Sequence, residues 1–262
     1  TLFLSPVLQV SDLWNSYKTS QASYDRVAEV LDLLPDAEGS VPLPPGGTGE
    51  IRFEHVSFSY DDRVILADFN GRFSQGINYL TGENGSGKST ILRLICRLYA
   101  PDSGRITING TDLASVKRDD LRSNVSMVFS DSLIFDGTIA DNILIGNLSA
   151  TGDDLIRAAK KAGLDAFVQA LPKKYDTPVG ENGLNLSSGE MQKIALARVL
   201  LRDSPVILFD EFTRSIDEAS RTSIYEVIRQ LTGKTVIIVT HSTADIPEGS
   251  NIVHLTKAGQ TA

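Results

Sequence analysis

Leu80 to Ile95 reads LTGENGSGKSTILRLI, and no other stretch restricts the fold of this chain as strongly. Its core, GENGSGKST, fits the pattern G-x-x-x-x-G-K-[ST] at Gly82, Gly87, Lys88 and Ser89. The apolar run INYL precedes it and an apolar helical pattern follows, which is the strand–loop–helix setting that the pattern requires. Glycines let the backbone curl with its N–H groups turned inward, and the start of the helix adds a positive dipole end. The candidate phosphate cradle is therefore Gly82, Glu83, Asn84, Gly85, Ser86, Gly87, Lys88, Ser89 and Thr90. Lys88 is placed to reach the β- and γ-phosphates. The Ser89 hydroxyl is a hard oxygen ligand suited to Mg2+.

A second loop has the same physical logic. LNLSSGEMQKIALARVLL, from Leu184 to Leu201, starts with small residues and runs into an amphipathic helix. Small residues at a helix N-terminus form an anion site. One chain thus carries two phosphate-binding loops about a hundred residues apart.

Two apolar runs end in chemistry. VILFDE (Val206 to Glu211) reads as a buried strand that delivers two carboxylates at its C-terminal edge, where open α/β sheets bind ligands. Asp210 would hold Mg2+, mostly through its waters, and Glu211 would polarise an attacking water. TVIIVTHS (Thr235 to Ser242) repeats the pattern and ends at His241, which is placed to contact a γ-phosphate. His55 and His254 lack such company and read as structural.

The rest of the chain alternates strands and helices. IRFEHVSFSY, ADFNGRF and GINYLTG read as closely spaced strands, hence a small antiparallel sheet. The later alternation of apolar strands with helices implies a buried parallel sheet. A more helical region lies between them. The formal net charge is −8, which argues against a general nucleic-acid coat. A single cysteine, Cys96, rules out an internal disulfide and reads as a small core residue.

Residues 7–34 read as one long helix of about 42 Å. Val10, Leu13, Tyr17, Ser20, Tyr24, Val27, Leu31 and Leu34 recur at steps of three and four, a seam of period 3.5. The Pro- and Gly-rich stretch LPDAEGSVPLPPGGTGE then stops the helix. The opening TLFLSPVLQV is too short to span a bilayer core of about 30 Å and has no basic flank. The first residue is Thr1, which suggests a segment of a longer protein.

In order, Tyr60, the P-loop, LIFDGTIADNI, VGENGLNLSSGE, VILFDE, TRSID and VTHS resemble the nucleotide-binding domain of ATP-binding-cassette exporters over residues 50–255. The resemblance implies an α/β fold. It has a P-loop NTPase core with a mainly parallel sheet, a small antiparallel β subdomain, and a helical subdomain at about 135–202. Residues 1–34 would be the end of the last transmembrane helix and its cytoplasmic stalk, 35–49 a linker, and 50–262 the motor domain.

The resemblance also explains the two loops. In such proteins two motor domains pack head to tail, and each ATP lies between the P-loop of one and the signature loop of the other. ATP and Mg2+ are the implied cofactors. Lys88, Glu211 and His241 are the implied catalytic residues, and Tyr60 would stack on adenine. Ser187, Ser188, Gly189, Glu190 and Asp217 would act in trans, and Ser89 and Asp210 would hold the metal. The implied partners are a second such domain, as a homo- or heterodimer, and a transmembrane domain of the same chain. The implied location is the cytoplasmic face of the bacterial inner membrane.

Three positions depart from the family pattern. Ser130 stands where a Gln usually touches the water shell of the metal, and is a further candidate ligand through water. The signature reads Leu186-Ser187-Ser188-Gly189-Glu190 instead of Leu-Ser-Gly-Gly-Gln, and Arg214-Ser215-Ile216-Asp217 replaces Ser-Ala-Leu-Asp. These departures leave a second reading open, an ATP-dependent regulatory or dimerisation domain with little turnover. The acidic charge and the long first helix argue against a third, a soluble cassette ATPase of translation or DNA repair.

Overall fold

The structure, a computed structural model, describes residues 4–32, 39–43, 49–129, 133–180, 183, 185–214, 216–240 and 246–256. It divides into two units, residues 1–38 and 39–262. The first holds one helix, α1 (Leu4–Leu31). It begins three residues earlier than the seam predicts. Its seam residues Val10, Leu13, Tyr17, Tyr24, Val27 and Leu31 are all more than half exposed. Among the described residues no helix is long and apolar enough to cross a membrane.

The second unit opens with β1 (Ile51–Tyr60), β2 (Arg63–Phe73), β3 (Gly76–Gly82) and α2 (Lys88–Ile95). β4 (Ser103–Ile108), β5 (Thr111–Asp112), α3 (Arg118–Asn124) and β6 (Val125–Val128) follow. Next come β7 (Gly137–Thr138), α4 (Ile139–Leu144), α5 (Gly152–Lys161), α6 (Asp165–Ala170) and β8 (Pro178–Val179). The chain continues through α7 (Ser188–Arg202), β9 (Val206–Asp210), α8 (Glu218–Arg229), β10 (Thr235–Val239) and β11 (Asn251–Leu255).

Two main sheets form. One is parallel, in the order β11-β3-β10-β9-β6; the other is antiparallel, in the order β2-β1-β4-β5. Residues of β9 and β10 are buried on both faces and alternate between two cores. Ile207, Phe209, Val236 and Ile238 pack with the helices α4, α5, α7 and α8. Val206, Leu208, Ile237 and Val239 pack with α2 and the antiparallel sheet. That period-2 division is what a strand buried on both sides produces. The P-loop helix α2 is therefore held in the second core, through Ile91, Leu92, Leu94 and Ile95. Phe53 anchors the antiparallel side, edge-on to Phe69 at 5.2 Å.

Helices α4, α5, α7 and α8 start at side-chain caps. Thr138, Thr151 and Ser187 each form a capping box, with Asp141, Asp154 and Glu190 respectively, and Asp217 caps α8. Within the helical region a half-buried cation ties α7 to α4 and to the segment before β7. Arg198 on α7 donates to Asn142 O at 2.7 Å, Asn142 Oδ1 at 2.6 Å and Leu133 O at 2.6 Å. Asn142, fully buried, in turn donates to Phe135 O and Thr138 O. The three Arg198 acceptors are neutral, and burial pulls its pKa down to about 10. Cys96 is partly buried beside Met127, and burial pushes its thiol up to about 12, as expected of an inert packing residue.

Candidate functional site

The P-loop leaves the C-terminal end of β3 and caps α2 with Gly87, at φ 102°. A side chain there would be strained by the backbone, and a β-carbon would meet Ile65 Cγ2 at 3.0 Å. Lys88 is 5% exposed, and its ammonium donates to Gly82 O at 2.9 Å and Glu83 O at 2.8 Å. Burial lowers its pKa, and the charges of Glu211 and Asp210 oppose that shift. Ser86 Oγ is buried with no hydrogen-bond partner among the described residues. A buried hydroxyl left over in a loop of inward-turned amides suits an incoming acceptor such as a phosphate oxygen.

β9 brings the acids to the same edge. Ser89 Oγ donates to Asp210 Oδ1 at 2.9 Å, which joins the P-loop helix to the end of β9. Burial raises the Asp210 pKa, and the Ser89 hydrogen bond opposes this. A hydroxyl and a carboxylate side by side are two hard oxygen ligands. Among the described residues no group of three or more His, Cys, Asp or Glu could enclose a metal by itself. The pair therefore fits a cation that takes its remaining ligands from water and phosphate.

Glu211 adopts φ 45°, a left-handed conformation that costs a non-glycine residue about 1–2 kcal/mol. Two bonds pin it: Arg214 N–H donates to Glu211 O at 3.1 Å, and the Arg214 guanidinium donates to Glu211 Oε2 at 2.9 Å. Lys88, Ser89, Asp210 and Glu211 are thus one cluster. Tyr60 stands on β1, where its hydroxyl accepts from Arg93 Nη1 at 3.3 Å. That hydrogen bond raises the Arg93 pKa. The Tyr60 ring lies edge-on to Phe58 at 4.8 Å and to Tyr99 at 5.1 Å.

The signature residues form a second cluster. Ser187 caps α7, and its backbone N–H donates to Glu190 Oε2 at 2.7 Å. A β-carbon on Gly189 would lie 2.6 Å from Ser220 Oγ, so a larger residue there would have to displace the Ser220 side chain on α8. Asp217 Oδ1 accepts from Ser220 N–H at 2.9 Å and lies on that same surface. Ser187, Gly189 and Asp217 are therefore neighbours. His241 and Ser130 lie outside the described residues. His55 and His254 bond to Asp68 and Thr81, as structural histidines do.

The family pattern of ABC transporters matches residues 66–214, more than half of the chain. The chain belongs to the ABC transporter family. It is 40% identical over 232 residues to an uncharacterized ABC transporter ATP-binding protein of Sinorhizobium fredii. That match covers 87% of this chain and 39% of the relative. It is 36% identical over 254 residues to a fatty acid ABC transporter ATP-binding/permease protein of Mycobacterium bovis, covering 96% of this chain and 40% of the relative. A solved bacterial Atm1-family ABC exporter with ATP bound superposes on the whole chain with a TM-score of 0.84 at 32% identity. The chain covers 46% of that exporter. This ABC transporter chain is thus an ATP-binding domain and an ATPase. It spans about two fifths of the length of these curated relatives.

Sequence reasoning missed three arginines. Arg93 and Arg198 find partners 33 and 56 residues away, so no local signal marks them. Arg214 sits three residues after Glu211, and that spacing was readable. The Ser187–Glu190 box was readable too, as Ser-x-x-Glu before a helix.

Proposed function

We propose that this chain is the ATP-hydrolysing motor of a membrane exporter, with Lys88, Ser89, Asp210 and Glu211 as its working residues. The observation that carries the reading is the Ser89–Asp210 bond, which puts the P-loop and the acid pair at one sheet edge. Lys88 would leave its loop carbonyls for the β- and γ-phosphates, and Tyr60 would offer its ring to adenine. Ser89 and Asp210 would hold Mg2+, which when bound neutralises phosphate charge. Water would attack the γ-phosphorus while Glu211 takes its proton. The bond to the β,γ-bridging oxygen breaks, the electron pair leaves on ADP, and phosphate is released. His241 would contact the γ-phosphate.

The second cluster would act on the ATP of a partner domain. The Ser187 hydroxyl and the Gly189 amide sit at the start of α7, a positive helix end suited to a γ-phosphate. Ser188, Glu190 and Asp217 would line the same interface. Such a dimer, of two copies or of two related chains, would belong to a polypeptide with its own transmembrane domain. It would work at the cytoplasmic face of the bacterial inner membrane. The exposed apolar seam of α1 fits a stalk that runs beside other helices.

Glu211→Gln tests the clamp. Without proton transfer, MgATP should accumulate a dimer that MgADP does not support, and added Ser187→Arg should abolish it. Light scattering reads both results. A strictly monomeric Glu211→Gln protein at millimolar MgATP would count against the clamp.

A further inference from the structure

The Glu211 carboxylate bonds to one cation, Arg214, and its charge is felt by another, Lys88. Lys88 is buried, and the Glu211 charge acts on its ammonium. Arg214 is 69% exposed on the side chain and donates to Glu211 Oε2 at 2.9 Å, while Glu211 is 20% exposed. The two residues are also tied through the backbone, Arg214 N–H to Glu211 O at 3.1 Å. Glu211 itself stands in a left-handed conformation that no glycine relieves. A strained residue persists where its surroundings hold it.

From this geometry we infer that Arg214 is a positioning residue for the proposed general base: it holds the Glu211 carboxylate by Oε2. The guanidinium is planar and gives a fixed direction, so one bond to Oε2 sets the aim of Oε1. An exposed pair of this kind contributes little to global stability, so its effect falls on aim and not on folding. The inference rests on the reading of Glu211 as general base.

The test is ATP turnover by the 262-residue chain in five forms: unaltered, Arg214→Ala, Arg214→Lys, Glu211→Gln, and Arg214→Ala combined with Glu211→Gln. Arg214→Ala should lower kcat about tenfold with KM for ATP within about twofold, because aim is lost and binding is not. Arg214→Lys, which keeps the charge and most of the reach, should recover more than half of the rate. In Glu211→Gln, which single-turnover conditions can follow, Arg214→Ala should cause no further loss. A melting temperature unchanged by Arg214→Ala shows that the fold is intact. Unchanged kcat in Arg214→Ala, or the same tenfold loss in both backgrounds, would overturn the inference alone. Full turnover by Glu211→Gln would overturn the general-base reading, and this inference with it.

Discussion

Ser187 and Glu190 satisfy each other at the start of α7. The Ser187 N–H donates to Glu190 Oε2 at 2.7 Å, and the Glu190 N–H donates to Ser187 Oγ at 3.3 Å. The acid that replaces the family's Gln therefore caps the helix that presents the signature. Gln offers the same acceptor, so Glu190→Gln should leave stability within about 0.5 kcal/mol. Glu190→Ala should cost about 1 kcal/mol. Urea unfolding of the three proteins checks both.

Lys88 is the buried ammonium of the P-loop cluster. Lys88→Ala should remove MgATP binding in calorimetric titration. Unchanged affinity would sink the assignment of the loop.

Arg198 bonds to three neutral oxygens on two segments. Arg198→Ala should remove all three bonds and cost about 1–2 kcal/mol. Arg198→Lys should recover little of this, because a single ammonium cannot reproduce a planar fork. Chemical denaturation reads the difference. Equal stability of Arg198→Ala and the parent would mean that solvent replaces the clamp.

Asp154 gives the pH dependence. Its hydroxyl and backbone bonds from Thr151 lower its pKa. The folded state thus favours the carboxylate, and the stabilisation is fully present above the unfolded value of about 4. It is lost as pH falls through the lower folded value. Asp154→Asn should melt below the parent at neutral pH, with the gap closing as pH drops below about 4. A melting-temperature series from pH 7 to pH 2.5 tests this; a gap constant over the whole range would show that the charge has no part in the cap.

The parallel core was legible because VILFD and TVIIV are apolar on both faces, and only a doubly covered strand reads that way. Alternation in β1 slips between Phe53 and Val56, where the register with β2 shifts and His55 takes φ 52°. The pairing of β7 with β8 was not legible, since two residues per strand carry no period and three helices separate them. Within the site, the P-loop and the acids came from local pattern. The Arg198–Asn142 clamp did not, because its partners meet only once the fold has formed.

β10 pairs with β3 on one side and β9 on the other, and Val239 stands level with Leu80 and with Asp210. The P-loop strand and the acid strand are therefore two strand spacings apart, about 10 Å. That length is a ruler graduated in backbone hydrogen bonds. Exchanging one apolar side chain for another in β10 repacks a core but leaves the graduation alone. A single residue inserted in β9 ahead of Asp210 would slip that row by one and carry Asp210 and Glu211 out of step with Ser89, whatever the identity of the inserted residue.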